Sequence, residues 1–168
     1  DITDDRGHVR VYKNIDGTWI QMGGDIDGEA RDDFSGSSVS LSSDGTRLAI
    51  GTPANDGNGI SSGHVRVYEY TSGTWEQMGS DIDGDAEGDY SGQSVSLSDD
   101  GFILAIGANY NDGNGIDAGQ VRIYQYEGSD WVQMGVDIYG EAAGDGSGHS
   151  ISLSDDGFRV AIGAFSND

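Results

Sequence analysis

Apolar and polar residues alternate in short stretches along this chain, and each stretch returns at a fixed distance. In Gly63-His64-Val65-Arg66-Val67-Tyr68 the valines occupy every second position, the period of a β-strand rich in β-branched and aromatic residues. Gly7-His8-Val9-Arg10-Val11-Tyr12 precedes it and Gly119-Gln120-Val121-Arg122-Ile123-Tyr124 follows, with starts 56 residues apart in a chain of 168. A self-similar period of this size is the signature of a repeat architecture. The middle unit predicts four strands. Gly63 to Tyr70 is followed by a turn at Thr71-Ser72-Gly73, and Trp75 to Met78 forms the second strand. Ser94 to Ser98 is the third, with Val95 and Leu97 on one face and serines on the other, and Phe102 to Ile106 is the fourth. Asp100-Gly101 between the last two is a hairpin signal of the type I′ kind. No stretch carries apolar residues at helical spacing over three turns.

The pattern therefore predicts an all-β fold of β-propeller type. Four antiparallel strands are expected in each unit of 56, within a single array divided as 1–56, 57–112 and 113–168. Trp19, Trp75 and Trp131 recur at one offset, as do Met22, Met78 and Met134. Asp33-Phe34-Ser35-Gly36-Ser37-Ser38-Val39-Ser40, then Leu48-Ala49-Ile50-Gly51-Thr52-Pro53 and Gly63 to Tyr68, resembles an FG-GAP repeat. Such repeats build the propeller head of integrin α chains and occur in many microbial surface proteins. The resemblance covers essentially the whole chain, with the Phe-Gly pair loosened to Phe34-Ser35-Gly36, Tyr90-Ser91-Gly92 and Gly146-Ser147-Gly148.

The resemblance also implies a calcium loop between the two inner strands, for which the chain has only Ser43-Asp44-Gly45, Asp99-Asp100-Gly101 and Asp155-Asp156-Gly157. Two carboxylates in a tight turn cannot supply the 6–8 oxygens calcium takes, so these read as plain hairpins. The family's strand order puts the serine-rich strand innermost and the Trp strand outermost. The chain then holds two whole blades, at about 38–79 and 94–135, and two halves. Inner strands carrying Ser150, Ile151, Leu153, Val160 and Ile162 would end in an open edge. Outer strands carrying His8, Val9, Arg10, Val11, Tyr12 and Trp19 from another copy would complete that blade, closing a six-bladed ring or running on as a head-to-tail filament. Neighbouring repeats of a longer chain are the other expected partner.

Composition narrows the function. Thirty acidic against eight basic residues give a formal charge of −22, which argues against nucleic acid and anionic membrane, since phosphate neutralisation needs Lys and Arg. It favours cation binding or a salty setting in which self-repulsion is screened. There is no cysteine for a disulfide or thiolate site, no apolar run of transmembrane length and no Asn-x-Ser/Thr sequon. The sequence opens on Asp1 rather than Met, as expected of a processed or excised product.

The acidic loop is the strongest site candidate. Asp81, Asp83, Asp85 and Asp89 alternate in a glycine-containing loop as hard-cation ligands do, and Asp25, Asp27, Glu29 and Asp33 repeat the pattern. The third copy has Asp137, Glu141 and Asp145, with Tyr139 at the second place. The competing reading is a solvated turn whose carboxylates bond backbone N–H groups. The tryptophans read as blade-to-blade packing, or else as a platform for glycans or surface proteins. Arg10, Arg66 and Arg122 read as structural ion-pair partners. Three scattered histidines form neither a triad nor a zinc set, and no serine sits in a nucleophile elbow, so no enzyme is expected. The sequence thus points to a non-enzymatic, extracellular or cell-surface structural or adhesive module, or to a calcium-assisted, lectin-like propeller.

Overall fold

The computed structural model describes residues 5–167, and among them there is no helix. Two complete sheets repeat one plan. In the first, β5 (Ser38–Leu41), β6 (Arg47–Thr52), β7 (His64–Thr71) and β8 (Thr74–Gln77) lie side by side, with the short β9 (Ile82–Asp83) on the far end of β7. In the second, β10 (Ser94–Leu97), β11 (Ile103–Ala108), β12 (Gln120–Tyr126) and β13 (Trp131–Gln133) do the same, with β14 (Ile138–Tyr139) on β12. Within both sheets the strands pair antiparallel and the register repeats: Leu48 faces Tyr68 as Leu104 faces Tyr124.

Partial sheets flank them. At one end β1 (His8–Val9) pairs with β4 (Ile26–Asp27), and β2 (Tyr12–Ile15) pairs with β3 (Thr18–Gln21). At the other, β15 (Ser147–Leu153) pairs with β16 (Val160–Ala164) and, among the described residues, with no other named strand. The order of serine strand, Leu-Ala-Ile strand, Val-Arg-Val-Tyr strand and Trp strand is that of a propeller blade read from the axis outward.

The core lies between sheets. Ala49, Val65 and Val67 of the first sheet meet Leu104, Ile106, Tyr124 and Trp131 of the second. Val11 and Ile26 of the partial sheet meet Leu48, Ile50 and Tyr68 in the same way. Each alternating strand thus gives one face to the preceding sheet and the other to the following one, which is why both faces of β6, β7 and β11 are buried. Trp75 and Trp131 each pin one seam. Trp75 Nε1 donates to the Met22 carbonyl and Trp131 Nε1 to the Met78 carbonyl, both at 2.8 Å. The indole is buried against the preceding sheet with its only donor satisfied.

The inner strands are joined by their serines. Ser38 Oγ donates to the Gly92 carbonyl and Ser94 Oγ to that of Gly148, each at 2.7 Å. Ser40 Oγ accepts the Leu97 N–H and Ser96 Oγ the Leu153 N–H, each at 3.0 Å. The serines of β5 and β10 therefore face the next blade.

The turns between inner strands differ from the sequence expectation. Type I′ requires positive φ at both central residues, yet only the glycine is left-handed, Gly101 at φ 70 and Gly157 at φ 73. Instead Gly101 N–H donates to the Ser98 carbonyl, closing a four-residue turn, and Asp100 accepts from both the Ser98 hydroxyl and the Phe102 N–H. The aspartate holds the turn as an internal acceptor.

Candidate functional site

The acidic loops lie where the chain leaves one blade for the next, and their carboxylates diverge. Asp89 is buried, accepts the Ala86 N–H at 3.0 Å and takes the Asn111 amide at 2.8 Å. Asp33 repeats this with Ala30 and Asn55, and Asp145 accepts the Ala142 N–H. Asp85 pairs with Arg122 of the following blade at 2.6 Å, while Arg122 also donates to the Asp83 carbonyl. In the preceding loop Glu29 takes the place of Asp85 and lies 3.3 Å from Arg66, which donates to the Asp27 carbonyl. The loop is thus a clasp: its last Asp folds it, and its third carboxylate grips the arginine of the next blade.

Arg10 has no preceding loop among the described residues and forms a two-pronged pair with Asp25 of its own repeat, at 2.9 and 2.7 Å. That pair, with the Gln21 amide, holds the Asp25 carboxyl down at about 2. Asp81, at the position of Asp25, accepts the Gln77 amide at 2.6 Å and lies 3.6 Å from His64 Nδ1. Of the eight predicted cation ligands, Asp81 and Glu29 are brought together, with His64 as the third group, and among the described residues no other set of three His or acidic side chains converges. The sequence alone did not show this trio, because its members belong to two repeats and to a strand start.

Asp89 and the turn aspartates are shifted in opposite directions. Hydroxyl and backbone donors in the turns pull Asp44, Asp100 and Asp156 below the ordinary 3.8, whereas burial pushes Asp89 above it. A depressed carboxyl contributes stability that is present above its unfolded value and lost as the pH falls through its folded one. A raised carboxyl has the opposite sign: in the window above 3.8, stability declines as the pH rises towards its folded value. Carboxyl NMR titration should therefore place Asp100 below 3.8 and Asp89 above it. Equal midpoints would contradict the clasp and turn geometry.

The predicted assembly residues occupy the two open ends. Val39 is 52% exposed where its counterpart Val95 is 8% exposed. Trp19 is 67% exposed, and Ser150 is exposed on β15. Val160, Ile162, Ile151 and Leu153 are half-buried, packed from one side alone, and Val11 is buried against the first complete sheet.

Against this geometry, residues 79–124, from the acidic loop through β12, match the family model described as an FG-GAP repeat. A candidate 6-phosphogluconolactonase from Bacteroides uniformis shares the fold over 95% of this chain and 41% of its own length, with a TM-score of 0.63 and 13% identity. Hydrazine synthase of Kuenenia stuttgartiensis is similar over 74% of this chain and 28% of its own, with a TM-score of 0.45 and 13% identity. The chain thus spans less than half the length of either protein, and at this identity the first likeness speaks for the fold alone. No curated protein sequence matches the chain.

Proposed function

We propose that this run of FG-GAP-type blades is a non-enzymatic structural module, extracellular as such repeats typically are, which extends by the strand pairing that joins its own blades. The observation that carries this is the match between its two open ends. In a complete blade the third strand fills the edge of the second through six residue pairs, from Ile103 opposite Gln125 to Ala108 opposite Gln120. Among the described residues the outer edge of β16 has no such strand, and β1 and β2 have no strand of the kind they would lie against.

Carrying the internal register over by whole repeats sets Val160 opposite Tyr12 and Ala164 opposite His8 of the next unit. The same shift sets Trp19 Nε1 on the Met134 carbonyl and Ser150 Oγ on the Gly36 carbonyl. Every contact needed already exists once or twice inside the chain. The incoming unit is a second copy or the following repeat of a longer chain; the strand chemistry is identical. Unpaired edges with an apolar flank recruit such a strand.

Light scattering on the 168-residue chain tests this. A sharp species at twice the monomer mass is expected for a closed ring, and a large polydisperse one for a filament. Association should strengthen with added salt, because a charge of −22 on each copy opposes contact until it is screened. A folded monomer at every concentration and salt level would defeat assembly between copies.

A further inference from the structure

We propose that Glu29, His64 and Asp81 form a site for one transition-metal dication of the zinc type, set in the seam between consecutive blades. Glu29 follows β4 in one repeat's loop, His64 opens β7, and Asp81 stands just before β9. One ligand atom from each lies within 4.8 Å of the others, and His64 Nδ1 is 3.6 Å from the Asp81 carboxylate. Metal–ligand bonds of about 2.0–2.2 Å in a tetrahedron set ligands about 3.4 Å apart, so a small closing movement completes the geometry.

The second observation is the state of the imidazole. His64 is 1% exposed, and its Nε2 has no hydrogen-bond partner. The nitrogen that faces Asp81 is Nδ1, so a cation between the two carboxylates is held through Nδ1 of this buried ring, and Nε2 lies on the ring's other side. Arg66 is the local competitor, 3.3 Å from Glu29, and Asp83 adds a further negative charge facing the ring. Glu29 is half exposed and free to turn from the guanidinium towards an ion. One nitrogen and two carboxylates suit zinc or its neighbours, and fall short of the all-oxygen shell of calcium.

The chain carries its own comparison. At the equivalent seam Gln120 replaces the histidine and its amide N–H donates to Asp85 at 3.0 Å, while its Oε1 is buried without a partner, so that seam offers a hydrogen-bonded amide where this one offers an imidazole nitrogen. At the first seam His8 is exposed and has Asp25 beside it, with no loop carboxylate of a preceding repeat among the described residues. The three positions share a place in the fold, and one of them has three ligands. The site lies within one chain and does not rest on how the ends are completed.

Calorimetric titration with zinc chloride alone should show one saturable equivalent, with His64 ring resonances shifting in step. His64→Gln, which copies the natural Gln120, should weaken that equivalent by about tenfold or more while leaving the chain folded. Asp81→Asn should do the same with the imidazole intact, and His8→Gln should change nothing. Calcium chloride should give no His64-dependent signal. Zinc binding that is unchanged in both His64→Gln and Asp81→Asn, or the absence of any saturable equivalent in the parent chain, would overturn the assignment.

Discussion

Gly63→Ala is expected to destabilise the chain by about 3–5 kcal/mol, whereas Gly73→Ala should cost about 1–2 kcal/mol. Both glycines are left-handed, at φ 75 and φ 95, so both substitutions carry the strain of placing a Cβ in that region. They differ in what surrounds them. A Cβ at Gly73, in the outer hairpin, meets nothing within 4 Å. At Gly63 it would lie 2.2 Å from the Ser91 carbonyl oxygen and 2.6 Å from the Ser91 nitrogen. Both clashing atoms are backbone, and they belong to the strand entering the next blade, so relief requires one blade to move off another.

The same approach recurs at Gly7 with Ser35 and at Gly119 with Ser147, as a parallel bridge each time. Urea unfolding of the two variants reads the difference directly. Equal midpoints would mean that conformational freedom alone explains the glycine at position 63.

That recurrence shows what could be read from the residues and what could not. The strands followed from period-two alternation and the 56-residue offset, and their order and the two whole blades from the likeness to FG-GAP repeats; a blade is a local object. Its members lie next to one another in sequence, and their pairing is set by short turns. The seams are not local. Ser38, Ser40, Ser94 and Ser96 form the polar face of their strands, and each bonds the following blade, 54 or 57 positions away.

The acidic loops also make contacts that lie outside their own stretch. Alternating carboxylates in a glycine-rich loop suit a cation in isolation, but here Asp89 turns inward to Asn111 and Asp85 reaches across to Arg122. The recurrence of Arg10, Arg66 and Arg122 was the available signal, since a periodic cation in so acidic a chain must answer a periodic anion. A second signal passed unread. The third copy puts Gly146 where the others have Phe34 and Tyr90, and both aromatics are left-handed, at φ 55 and φ 54. A glycine substituting for an aromatic marks a backbone constraint rather than a packing one.

Trp131→Ala should cost about 3–5 kcal/mol, and Trp19→Ala should be nearly neutral for the stability of an isolated copy. The two residues hold the same place in their repeats, so the contrast separates residue type from surroundings. Trp131 is buried against Met78, Tyr124 and Tyr126, with its N–H on the Met78 carbonyl. Removing it opens a cavity and leaves that carbonyl without its donor, and the two losses add. Trp19 stands open on β3, with no sheet in front of it among the described residues.

If the ends complete one another, the order reverses in the assembly. Trp19 becomes the pin of the new seam, and Trp19→Ala leaves a stable chain that no longer associates. Tryptophan emission follows this without a label, because Trp75 and Trp131 are already covered and Trp19 alone remains to be buried. A blue shift that grows with concentration in the parent chain and vanishes in Trp19→Ala ties assembly to that seam. Association that survives Trp19→Ala undiminished would place the contact elsewhere on the surface.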